Sequence, residues 1–135
     1  MWILLNDAFF SIVAKDAPEG HLLVRARRRG DIEKVFGRRT VVQEDDRGDY
    51  LFRARIPRSE IAEVLERELG RVTYANFKDS VVDQKLHDAY MRVWTAMAET
   101  QPVAPYSGAR RGLLLPAPSA TGQQRKKRKY TRRAK

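Results

Sequence analysis

The chain has 135 residues, 42% of them hydrophobic and 33% charged, which is enough for one domain with a real core and some length to spare. It contains no cysteine, which excludes disulfides, thiolate metal sites and thiol catalysis and fits a reducing compartment. The net charge of +10 is segregated: residues 1–98 hold 17 Lys/Arg against 16 Asp/Glu, whereas residues 99–135 hold 10 Lys/Arg against the single Glu99, so the positive balance belongs to the C-terminal segment.

The apolar start is interrupted by Asn6-Asp7 and lacks a basic leader or a small-residue cleavage site. It reads as neither a signal peptide nor a membrane span, and the expectation is a cytoplasmic protein. Residues 9–14, rich in aromatic and β-branched types, form a predicted strand. Asp16-Ala17-Pro18-Glu19-Gly20 is a turn cluster, and residues 21–27 then alternate, with Leu22, Val24 and Ala26 on one face and Leu23, Arg25 and Arg27 on the other. Arg28-Arg29-Gly30 breaks the strand, and Asp31 caps a short helix that runs to Phe36 and closes at Gly37.

The pattern then recurs. Thr40-Val41-Val42-Gln43-Glu44 is a predicted strand, followed by a polar turn around Gly48. Residues 50–56 place Tyr50, Phe52, Ala54 and Ile56 opposite Leu51, Arg53 and Arg55. Pro57 stops that strand, and Ser59 caps a helix to about Val72 with Ile61, Val64, Leu65 and Leu69 on its stripe. Leu23-Val24-Arg25-Ala26-Arg27 matches Leu51-Phe52-Arg53-Ala54-Arg55, a weak internal similarity between two strand–strand–helix units.

The stretch 74–98, which the rest of the domain is expected to be organised around, is predicted to form a long amphipathic helix. Asn76 is its expected N-cap, and Phe77, Val81, Val82, Leu86, Tyr90, Val93, Trp94 and Met97 fall at three-and-four spacing on one face. The expected order is ββαββα plus this helix: an α+β two-layer sandwich over residues 1–100, with a mostly antiparallel sheet from two hairpins and helices packed on one face. Residues 101–135 read as a Pro-containing linker, interrupted by Gly112-Leu113-Leu114-Leu115-Pro116, and then a basic tail disordered by self-repulsion.

The region between Phe9 and Trp94 resembles a group of small, uncharacterised bacterial and phage-associated proteins. The resemblance rests on Phe9-Phe10-Ser11-Ile12-Val13, Val24-Arg25-Ala26-Arg27, Tyr50 with Arg53-Ala54, Tyr74-x-Asn76-Phe77-Lys78 and His87-x-x-Tyr90-x-x-Val93-Trp94. It covers about two-thirds of the chain, implies no established activity, and leaves the basic tail outside it.

The basic terminus is the strongest functional signal. Arg125, Lys126, Lys127, Arg128, Lys129, Arg132, Arg133 and Lys135 suit salt-dependent binding of nucleic acid or another polyanion, and Tyr130 adds a ring for an unpaired base. The same run matches a nuclear-import type of signal, and a nucleoid-associated location is equally compatible with it. The plainer reading is a solvated tail that aids solubility. A second candidate is the sheet face carrying Arg25, Arg27, Arg53 and Arg55, which suits phosphate or an acidic protein surface. Its plainer reading is cross-strand pairing with Glu44 and Asp46. The alternation places no aromatic among these arginines, so a base-stacking platform is not expected there.

Asp83 and His87 lie one helical turn apart but have too few companions for a metal set, and Asp45, Asp46 and Asp49 lack the spacing and terminal glutamate of a calcium loop. No metal or cofactor is expected. With no glycine-rich phosphate loop, positioned nucleophile or recognisable carboxylate pair, the expectation is a non-enzymatic binding protein whose tail contacts nucleic acid or a polyanion. The alternative is a protein–protein adaptor or inhibitor of phage or mobile-element type acting through the arginine face, and a third reading is an enzyme of unrecognised class.

Overall fold

The computed structural model describes residues 1–105. The chain divides into two units, the first of them the compact Met1–Met97. In the first unit the strands are β1 (Trp2–Leu4), β2 (Phe9–Val13), β3 (His21–Ala26), β4 (Gln43–Glu44) and β5 (Phe52–Pro57). The helices are α1 (Asp31–Phe36), α2 (Arg58–Gly70), a 3-10 turn (Lys78–Ser80) and α3 (Gln84–Ala98). The fold is α+β, built on a five-stranded antiparallel sheet of order β1-β2-β3-β5-β4.

Register decides which residues share a face, because directly opposed residues of antiparallel strands point the same way. One row runs Ile3, Phe10, Ala26, Phe52; the next runs Trp2, Ser11, Arg25, Arg53, Gln43. The first row, with Ile12, Val24, Ala54 and Ile56, meets Ile32, Val35 and Phe36 of α1 and Ile61 and Val64 of α2 in the main core. Each large apolar side chain buried there contributes about 1.5–3 kcal/mol. The Phe10 and Phe36 rings meet edge to face, 5.4 Å apart. Gly30, at φ 85°, turns the chain from β3 into α1 in a conformation that costs glycine little.

The helices do not all lie on one face, which corrects the expected two-layer sandwich. Leu4 and Phe9 alternate away from Ile3 and Phe10, and it is Leu4 and Phe9 that pack on a second cluster of Val81, Leu86 and Tyr90 together with Phe77. The first half of α3 therefore covers the opposite side of the sheet from α1 and α2. Only Leu86 and Tyr90 of α3 are buried. Of the rest of its expected stripe, Val82 is 94% exposed and Met97 60%.

The long helix also starts later than its pattern suggests. Asn76 Oδ1 accepts the Lys78 backbone N–H at 3.0 Å, closing a local turn instead of capping a helix, and Val81 is extended. The cap is Asp83, whose Oδ1 accepts the Leu86 N–H at 2.8 Å. Other differences are local. β1 is an additional strand in a stretch the alternation left unassigned, β4 shortens to two residues, and α2 begins at Arg58 behind Pro57 without a side-chain cap.

Candidate functional site

The second face of the sheet carries the arginines. Arg25 and Arg53 are directly opposed across β3 and β5, an arrangement of like charges that costs stability unless an anion intervenes. The turn between β4 and β5 supplies it. Asp49 lies 3.6 Å from both guanidiniums, and Asp45 pairs with Arg53 at 3.0 Å. Ser11, buried in the same row, accepts from Arg25 Nη2 at 2.8 Å. Arg55 donates to Gln43 Oε1 and to the Asp16 carbonyl, while Glu44 takes Arg29 at 2.6 Å. Asp45 and Asp49, rather than Asp46, neutralise the opposed pair. A Cβ at Gly48 would overlap the Arg53 guanidinium, so glycine there leaves room for that side chain to reach Asp45 and Asp49.

Tyr50 corrects a further expectation. The alternation placed it with Phe52 on the core side, but the chain bends at Leu51, which is 47% exposed, and Tyr50 falls among the arginines. Its buried ring lies under the Arg25 guanidinium at 4.5 Å and the Arg27 guanidinium at 4.3 Å, and stacks against Phe9 at 6.4 Å. An aromatic therefore does sit within the arginine face. Trp2 meets the edge of Phe9 at 5.9 Å.

Between this aromatic wall and α3 opens a cleft of about 540 Å³. Trp2, Leu4, Phe9 and Tyr50 form one side, and Leu86, Ala89, Tyr90 and Val93 of α3 form the other. Arg27, Arg28, Lys85, Asp31 and Asp83 are its charged lining. That volume and mainly apolar composition are those of small-molecule sites.

A polar hub holds the end of the cleft in place. Asp31, 4% exposed at the start of α1, accepts from Arg28 Nε and Nη2 at 3.3 and 3.2 Å, and Arg28 Nη1 reaches Asp83 at 3.3 Å. Burial pushes the Asp31 carboxyl above the usual range, outweighing the hydrogen bond and charge of Arg28 and a backbone hydrogen bond at Phe9. On Arg28 burial acts downward, but Asp31 and Asp83 outweigh it and hold the guanidinium more firmly charged. Tyr90 donates its buried hydroxyl to the Ala8 carbonyl at 2.8 Å, tying α3 to the loop between β1 and β2. Burial, reinforced by the nearby Asp31 carboxylate, raises that phenol well above its ordinary value.

Arg25, Arg27, Arg53 and Arg55 thus share a face but are largely engaged within the protein. Asp83 is occupied by the helix cap and Arg28, and His87 faces Asp88 at 3.5 Å. No group of three potential metal ligands occurs among the described residues. The tail residues Arg125 to Lys135 and the Gly112–Pro116 patch lie outside the described residues. The cleft residues escaped sequence reasoning because they come from four separated segments. The nearest signal was the turn-rich run before Tyr50, which makes unbroken alternation up to Phe52 unsafe.

No protein-family model, curated protein or solved structure matches the chain. The resemblance to bacterial and phage-associated proteins gains nothing from these comparisons, and function has to be argued from the residues themselves. Among the described residues no helix is long and apolar enough to cross a membrane.

Proposed function

We propose that this protein is a non-enzymatic binding protein whose basic C-terminal segment contacts nucleic acid or another polyanion. The observation that carries the reading is the segregation of charge. Residues 99–135 hold a net charge of +9, while residues 1–98 hold +1. Within the folded body Arg25 and Arg53 are paired with Asp45 and Asp49, and Arg55 is bonded to Gln43. Of the four sheet arginines only Arg27 has no carboxylate or amide side-chain partner among the described residues, which counts against the adaptor reading of that face. A run of eight Lys and Arg between Arg125 and Lys135 remains to neutralise phosphates and release counterions.

The test is fluorescence anisotropy of a labelled duplex with the full chain and with a chain lacking residues 102–135, at several salt concentrations. If all eight cations engage, log K falls with log salt at a slope of about −7. Deletion is expected to abolish the affinity and leave the far-ultraviolet circular dichroism of the body unchanged. Undiminished duplex binding by the shortened chain would refute the proposal.

A further inference from the structure

We propose that the cleft between Tyr50, Phe9 and α3 receives an unpaired nucleobase, with the adjoining phosphate on Arg27 and Lys85. This rests on the polyanion reading above and adds to it a preference for single strands. Three observations carry it. The cavity, about 540 Å³, is walled on both sides by apolar and aromatic side chains, which suits a flat ring and offers little to a freely hydrated group. The Arg27 guanidinium lies over the Tyr50 ring at 4.3 Å and makes a planar surface of the kind on which bases stack.

The third observation is charge. Both carboxylates in the lining, Asp31 and Asp83, are already paired with Arg28. Arg27 and Lys85 are exposed and have no carboxylate partner among the described residues, and the Arg27 hydrogen bond goes to the Asp49 carbonyl. Two cations are therefore available beside an apolar slot, which is complementary to a ring bearing a phosphate. Bases within a duplex are stacked on one another and cannot enter. An unpaired base can, whatever its identity, because every base has a π-face.

The experiment uses the full chain carrying Trp94→Phe, so that Trp2 in the cleft wall is the fluorescent reporter. Three probes are titrated at a salt concentration high enough to weaken the tail: deoxythymidine monophosphate, a labelled oligonucleotide strand, and the duplex of the same sequence. We expect about tenfold tighter binding of the strand than of the duplex, with quenching of Trp2. Ala89→Phe, which fills the slot, and Lys85→Glu, which reverses a rim charge at an exposed position, are each expected to bring strand and duplex to parity. If Ala89→Phe fails to fold, Lys85→Glu decides alone.

Equal affinity for strand and duplex in the parent chain overturns the proposal, as does a preference that survives Lys85→Glu. Saturable quenching by the mononucleotide without any preference for the strand overturns it in favour of a free aromatic anion as occupant. None of these results touches the tail reading, which stands or falls on whether duplex affinity disappears with residues 102–135.

Discussion

Replacing Tyr90 by Phe removes one hydroxyl and nothing else, and its cost measures how firmly α3 is held to the sheet. The hydroxyl donates to the Ala8 carbonyl at 2.8 Å in a fully buried setting. That carbonyl also accepts the Leu5 N–H at 2.8 Å, so deletion does not leave it without a partner. The expected loss is therefore that of one net hydrogen bond, about 1 kcal/mol, and not the larger penalty of an orphaned buried acceptor. Urea unfolding followed by circular dichroism should show a midpoint lower by roughly 0.5 M with an unchanged slope. Native-state hydrogen exchange should accelerate in α3 and leave the amides of β2 and β3 protected. A loss below about 0.3 kcal/mol would mean that Leu86 and Val81 alone position the helix, and a loss above about 3 kcal/mol would mean that the Leu5 bond does not satisfy Ala8; either refutes the reasoning.

Tyr90 also sets an alkaline limit. Its folded-state value is raised above the ordinary 10.0, chiefly by burial, so the stability it contributes is complete below that pH and is lost as pH rises beyond it. The tyrosinate absorbance assigned to it by difference from Tyr90→Phe should emerge only with unfolding, and ordinary titration in a folded protein would count against this. At the β4–β5 turn, Gly48→Ala should displace the Arg53 guanidinium from Asp45 and Asp49, costing about 1 kcal/mol. In an Arg53→Ala background the same change should cost markedly less, and a double-mutant cycle with no coupling would show the turn and the arginine to be independent.

How much of this was legible in the sequence depended on whether the signal was local. Strand β3 and helix α2 follow from side-chain periods of two and of three to four, which a chain imposes on itself through backbone geometry. Strand β2 follows from its aromatic and β-branched residues, and α1 from the Gly30 and Gly37 that bound it. Segregation of charge is likewise a property of composition. The expected long helix failed where two local signals competed: Asn76 closes its own turn, and Asp83 caps the helix instead. Tyr50 was misplaced for a related reason, since one bend at Leu51 moves a residue to the other face and periodicity cannot see bends.

The cleft belongs to a different category. Trp2, Phe9, Tyr50 and Tyr90 are brought together only when β1 joins the sheet edge and α3 settles on Leu4 and Phe9. Opposed arginines at 25 and 53 look like a free basic face until the β4–β5 turn brings Asp49 to both of them. The sequence by itself determined the antiparallel α+β character and the location of the positive charge, because short-range geometry and composition suffice for both. Only the tertiary structure decided which cations are spent and where a cavity opens, because those depend on contacts between residues far apart in the chain.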